Sequence, residues 1–215
     1  YDAIINLFEN ISKNQVVLMP TTNSAYGSGD KNNFCDENSP LNPLSEYAID
    51  KVNIEKRLLE FENSISLRLA TVFGMSPRMR TDLLVNDFTL RAVKDKFIVL
   101  FESSFKRNYI HVMDVVGAFI HSLKKHDDMK GNIYNVGLSE ANLSKKELCL
   151  KIKDQIPDFS IFESEFNKDP DQRNYIVSNA KIEKTGFKPK YTIEYGITEL
   201  IKGYKTLKTN NYANI

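Results

Sequence analysis

Apolar positions along this chain alternate between two rhythms. Short runs rich in β-branched and aromatic residues, at 15–19, 65–72, 97–101, 109–112 and 132–136, read as buried strands. Between them, apolar residues recur at helical spacing. A helix is expected over 46–63, and another over 82–93 with Leu83, Leu84, Val85, Phe88, Leu90 and Val93 on its apolar face. A third spans 114–123, packing Val115, Val116, Ala118, Phe119 and Leu123. Ser144-Lys145-Lys146-Glu147 has the form of a capping box opening a helix to about Gln155. A short helix over 179–185 is stopped by Gly186, and an amphipathic one runs from Ile193 to about Lys208. The tail over 209–215 is expected to fray. Strands alternating with helices predict an α/β fold built from parallel βαβ units.

Composition narrows the class of molecule. The chain has 215 residues, 41% hydrophobic and 27% charged, enough to bury a sizeable core in one large or two small domains. A formal net charge of +1 gives no electrostatic case for nucleic acid or a membrane surface. No apolar run approaches the roughly 20 residues of a spanning helix, and the expected compartment is the cytoplasm. Cys35 and Cys149 are too few and too far apart for a disulfide framework or a metal motif. His121 and His126 are five residues apart, not the four that would put both on one helical face as ligands, so no metal is expected.

The candidate chemistry lies in residues 21–51. On a helix, Tyr47 and Lys51 stand one turn apart on the same face. A free tyrosine has a pKa of roughly 10 and is a poor base at neutral pH. An adjacent fixed positive charge favours the phenolate, which would make Tyr47 a proton shuttle for an alcohol or sugar hydroxyl. Thr22 follows the first apolar run, so it would sit at the carboxyl end of that strand, where ligands of open α/β sheets bind.

Four motifs occur in a telling order: Thr22-Asn23-Ser24-Ala25-Tyr26-Gly27, then Pro43-Leu44-Ser45-Glu46-Tyr47 with Lys51, then Leu67-Arg68-Leu69-Ala70-Thr71-Val72-Phe73-Gly74, then Arg107-Asn108-Tyr109-Ile110-His111-Val112-Met113-Asp114-Val115. Together with the looser Asn135-Val136-Gly137 and Arg173 segments, they resemble the extended short-chain dehydrogenase/reductase family acting on nucleotide-diphosphate sugars. The likeness spans about residues 1–190. It implies a Rossmann-like parallel sheet with a smaller α/β substrate-binding part, the two interleaved. Residues 1–74 and 109–137 would form the dinucleotide-binding part with the catalytic residues, and 75–108 and 138–208 the nucleotide-sugar part.

The resemblance also implies roles. Tyr47 would take the hydroxyl proton, Thr22 would hydrogen-bond the same oxygen, and Lys51 would contact the nicotinamide ribose of NAD or NADP. Ala70 and Val72 would lie beside the cofactor. Arg107 matches an arginine that contacts the substrate diphosphate, Arg173 falls where a second one often stands, and Arg78, Arg80, Asn23 and Ser24 are further substrate-side candidates. His111 and Asp114 are expected to be structural, Asp114 by capping the helix that follows it. The 4,6-dehydratases of the family carry an acid and a base directly after the threonine. This chain has Asn23-Ser24 there, and neither can serve as a carboxylate. Oxidation at C4, by a 4-epimerase or a 4-dehydrogenase or reductase, therefore fits better than dehydration.

No Gly-x-x-Gly-x-x-Gly turn occurs in the sequence. Residues 1–12 resemble the helix just before the active-site strand, so about a hundred residues of such an enzyme, with the dinucleotide turn, are expected to be missing. Tyr1 favours a fragment over a natural start, and alone it should be inactive. A non-catalytic binder of a nucleotide sugar or a partner is the alternative. Residues 1–12 and 46–63 also resemble the two helices through which the family commonly forms homodimers.

Overall fold

The structure, a computed structural model, describes residues 1–29, 34–164 and 172–206. The expected tail and Asp169, Pro170 and Asp171 before Gln172 lie outside these residues. The elements in order are α1 (Asp2–Asn10), β1 (Val17–Thr22), α2 (Glu46–Leu58), β2 (Ser64–Leu69), β3 (Thr71–Phe73), α3 (Leu84–Lys94), β4 (Phe97–Leu100) and β5 (Lys106–His111). They continue with α4 (Val112–Lys124), α5 (His126–Met129), β6 (Asn132–Val136), β7 (Asn142–Ser144), α6 (Lys145–Lys153), β8 (Ser160–Glu163), α7 (Ala180–Lys184) and α8 (Ile193–Thr206).

Three parallel strands, in the order β1-β2-β6, form the main sheet. Thr22 is level with Leu69, and Leu69 with Val136, so the three carboxyl ends lie side by side. Ile65, Leu67, Tyr134 and Val136 of this sheet pack with Ile110, Ala118 of α4 and Ile182 of α7. A second small core of Phe8, Met19, Ile54 and Leu58 joins α1 and α2 to β1. The largest core lies among α3, α6, α8 and the strands around them, with Phe73, Val85, Tyr109, Leu148, Phe159 and Leu200 among its members.

The expected strand over 65–72 divides at Ala70. Its amide still donates to Val136 O at 2.9 Å, but Thr71 already pairs with Tyr109, so β3 joins β5 instead. The apolar residues recur from Ile65 to Val72 on both sides of the break, and that pattern carries no information about a change of partner. The helix expected over 46–63 stops at Leu58. The amide of Phe61 turns back to Leu58 O, and Ser64, whose Oγ also donates to Leu58 O, already begins β2. The capping box is present as expected, with Ser144 Oγ accepting from Glu147 N at 3.1 Å and Glu147 Oε2 from Ser144 N at 2.7 Å. Gly186 adopts a φ of 95°, which ends the short helix α7 where the sequence placed its stop. Strands β7 and β8, three and four residues long, lie outside the apolar runs that read as strands in the sequence.

Candidate active site

At the carboxyl end of β1 the chain turns through one 3-10 helix, Asn23–Tyr26. Thr22 caps it, its Oγ1 accepting from Ser24 N at 3.1 Å. A hydroxyl that accepts one hydrogen bond can also donate one. Gly27 closes the turn at a φ of 62°, and a Cβ there would lie 1.9 Å from Asn42 O. Only glycine fits, which explains the Tyr26-Gly27 pair in chemical terms.

Helix α2 starts at Ser45, whose Oγ accepts from Ala48 N at 3.3 Å. That cap places Tyr47 in the first turn and Lys51 one turn on. The Lys51 ammonium lies 5.9 Å from the Tyr47 ring centroid, so the expected pair is formed. Its Nζ also donates to Pro20 O at 3.0 Å, which ties α2 to β1 two residues before Thr22. Partial burial lowers the Lys51 pKa from its ordinary value. Tyr47 itself is 58% exposed, so its ring is open to an incoming molecule.

Beneath the turn lies a buried polar network that the sequence reading did not anticipate. Glu55 of α2 meets Arg68 of β2 through Oε1 and Nη2 at 2.6 Å, with both side chains almost inaccessible. Glu55 Oε2 accepts from Ser66 Oγ at 2.6 Å and Thr21 Oγ1 at 3.1 Å. Arg68 Nη1 donates to Tyr26 OH at 2.9 Å, and Tyr26 OH donates to Asn135 Oδ1 at 2.8 Å. Burial pushes the Tyr26 phenol up to about 12, against the opposing influence of Arg68. The residues flanking Thr22 are thus anchored to α2, β2 and β6. A Glu four residues after Lys51 was the signal available in the sequence.

The segment over 172–179 crosses the turn. Asn174 N donates to Gly27 O, Tyr175 N to Lys106 O, and Arg173 Nη1 to Ser24 Oγ. Arg107, 1% exposed on β5, stacks 5.4 Å from the Tyr175 ring and donates from Nη1 to Lys106 O at 2.9 Å. Arg107 and Arg173 are therefore gathered around Tyr175 beside the Asn23–Tyr26 turn. Arg78 lies on the exposed loop after Gly74, and Arg80 there pairs with Asp82 at 2.6 Å. Ala70 directly follows β2, whose last residue Leu69 is level with Thr22, while Val72 packs against the Ile110 core.

Three polar residues proved structural, one of them in an unexpected way. His111 Nδ1 accepts from Met113 N at 3.2 Å and so caps α4, while Nε2 meets Glu199 Oε2 at 3.0 Å. Because Nδ1 accepts, the ring proton is on Nε2 and is donated to Glu199. The cap expected of Asp114 thus belongs to His111, because the residue before the helix is placed to accept its first amides. Asp114 binds Lys190 N and Tyr191 N at 2.8 and 2.9 Å instead. His121 bonds Thr185 Oγ1 at 2.8 Å, and no metal-binding cluster occurs among the described residues.

The model of the NAD dependent epimerase/dehydratase family matches residues 2–137. The chain belongs to this family. Among family relatives, human dTDP-D-glucose 4,6-dehydratase is 27% identical over 213 residues, covering 91% of this chain and 57% of the relative. The chain spans 54 to 60% of the length of three such curated relatives. Two solved structures share its Rossmann-like fold. Bacillus anthracis dTDP-glucose 4,6-dehydratase in complex with NAD has a TM-score of 0.79 at 22% identity, covering 95% of this chain and 67% of that one. Thermotoga maritima UDP-glucose 4-epimerase with UDP-glucose has a TM-score of 0.74 at 24% identity, covering 87% and 62%. Among the described residues no helix is long and apolar enough to cross a membrane.

Proposed function

We propose that this chain is the catalytic and substrate-binding portion of an NAD(P)-dependent enzyme that oxidises C4 of a nucleotide-diphosphate sugar, as a 4-epimerase or a 4-dehydrogenase or reductase. The observation that carries the reading is the Lys51 ammonium, held between the Tyr47 ring and Pro20 O beside the Thr22 turn. The residues present fit the nicotinamide end of the cofactor, because an accessible phenol and an oriented ammonium stand on one helical face at the strand ends. When bound, the cofactor supplies the hydride acceptor.

The chain's own residues then perform the rest. Thr22 donates to the C4 oxygen and holds it, and Tyr47 takes its proton as a general base. Lys51 stabilises the phenolate by its charge and offers its remaining donors to the ribose. Arg173 and Arg107 bind the diphosphate, for which a guanidinium is suited by its two parallel N–H groups. The relatives include 4,6-dehydratases, but Asn23-Ser24 offers no carboxylic acid or base for removing water. The sequence contains no glycine-rich pyrophosphate turn, so the chain alone should bind NAD weakly and be inactive. The alternative reading is a non-catalytic nucleotide-sugar binder.

Titration calorimetry with UDP-glucose tests the substrate class. Wild type should bind, and Arg173→Ala should weaken binding by about 2 kcal/mol or more, the cost of unpairing a charge. Arg107→Lys should lose part of the affinity, because an ammonium cannot make both bonds. Equal affinity in all three would remove both arginines from the site. Assembled with a dinucleotide-binding half, Tyr47→Phe should lose about a hundredfold in turnover with sugar-nucleotide affinity kept. Sugar-nucleotide binding with no turnover in any assembly would favour the non-catalytic reading.

A further inference from the structure

The sheet and helix α2 each carry one half of the proposed chemistry, Thr22 at the end of β1 and Tyr47 on the helix. The strand ladder fixes Thr22 against Leu69, but a ladder acts within the sheet and sets no distance to α2. Apolar packing of Met19 with Ile54 and Leu58 holds strand and helix together without direction. Direction comes from polar ties. Lys51 Nζ donates to Pro20 O at 3.0 Å, and Thr21 Oγ1 donates to Glu55 Oε2 at 3.1 Å. Tyr47, Lys51 and Glu55 stand at successive turns of one helical face, and the two ties end on the residues directly before Thr22.

Arg68 orients the Glu55 carboxylate, its Nη2 meeting Oε1 at 2.6 Å and its Nε meeting Oε2 at 3.1 Å. Ser66 gives its proton to Oε2 at 2.6 Å, so the single Thr21 proton is shared between Ser66 Oγ at 2.9 Å and Oε2 at 3.1 Å. One hydroxyl thereby meets both β2 and α2. All four side chains are buried. A buried ion pair adds little net stability over apolar residues of similar volume, so stability alone does not account for a carboxylate here. What it supplies, and an apolar side chain does not, is a directional acceptor aimed at the residue before Thr22.

We propose that Thr21 is a positioning residue, which with Glu55 sets the distance between the Thr22 hydroxyl and the Tyr47 phenol. Resting on the nucleotide-sugar reading above, this assignment adds the residues that bring the two groups onto one C4 oxygen. Thr21 acts through Thr22, because its own proton is used inside the network. Both Thr22 and Tyr47 must stand within hydrogen-bond distance of the same atom, so the spacing between β1 and α2 is a dimension of the chemistry. A misplacement of about 1 Å can cost a hundredfold in rate.

The test is a calorimetric comparison of UDP, UDP-glucose and its 4-deoxy analogue, with melting temperature measured alongside. Wild type should prefer UDP-glucose to the 4-deoxy analogue by about fivefold or more. Thr21→Val keeps the outline of the side chain and leaves Glu55 with Arg68 and Ser66. It should reduce the preference to about twofold or less, with affinity for UDP kept. Thr21→Ser returns the hydroxyl and should return the preference. The double variant Glu55→Leu/Arg68→Met removes the acceptor without stranding a charge, so it should fold and show the same loss as Thr21→Val. A merely structural role would lower melting and weaken all three ligands alike in these variants, with the C4 preference intact, and that result overturns the proposal. A Thr21→Ser variant that discriminates no better than Thr21→Val overturns it as well. Wild type that binds UDP but does not distinguish the two sugars removes C4 recognition, and the Thr21 assignment with it, while sparing the diphosphate site. Wild type that binds neither UDP nor UDP-glucose refutes the nucleotide-sugar reading and the assignment together.

Discussion

Glu55→Leu removes one half of a buried ion pair and leaves the other behind. Arg68 would keep its bonds to Tyr26 OH at 2.9 Å and Glu37 O at 3.4 Å, but lose all of its contacts with the carboxylate. Thr21 and Ser66 would retain each other at 2.9 Å. The stranded guanidinium, whose side chain is 3% exposed, cannot reach water without moving the strand. Removing one partner of such a pair costs about 3–5 kcal/mol. For a chain of this length each kcal/mol shifts melting by about 2–4 °C, so the transition should fall by roughly 6–20 °C. The double variant Glu55→Leu/Arg68→Met removes both charges and should recover most of the loss. Thermal and urea unfolding followed by circular dichroism would measure the cycle. A Glu55→Leu cost below about 1 kcal/mol, or a double variant as unstable as the sum of the singles, would refute the reasoning.

Alkaline stability follows from the same network. The folded pKa of Tyr26, about 12, exceeds the unfolded value of roughly 10, so the folded state keeps a proton that the unfolded state gives up. The stabilisation is full below pH 10 and is lost as pH rises through that window. Burial raises Tyr204 in the same sense and Cys149 to about 12, so the urea midpoint should fall as pH rises from about 9 to about 12; a flat profile would contradict the burial of these groups. We also expect a two-fold dimer through α1 and α2, where Leu7, Ile49 and Leu59 remain exposed, and a strictly monomeric mass by light scattering would refute it.

What could be read from the sequence was local. Tyr47 and Lys51 are one turn apart, Ser144 and Glu147 form a cap within four residues, and Thr22 closely follows an apolar run, so each pattern lies inside one short window. The four motifs supplied their order. The network under the turn was not legible, because Thr21 meets Glu55 across 34 positions and Tyr26 meets Asn135 across 109. Apolar periodicity says nothing about which polar residues are buried together. It also gave no hint that Asn23 is enclosed, that Ala70 marks a change of strand partner, or that Asp114 reaches residues 190 and 191 instead of capping its own helix.

The central claim is that the Thr22 turn and the Tyr47 face of α2 hold the hexose of a nucleotide sugar. A crystal structure of the chain with UDP-glucose tests this most directly. The C4 oxygen should lie within hydrogen-bond distance of both Thr22 Oγ1 and Tyr47 OH, with the diphosphate against Arg173. A hexose bound beyond the reach of both hydroxyls, or a diphosphate with no arginine beside it, would contradict the account.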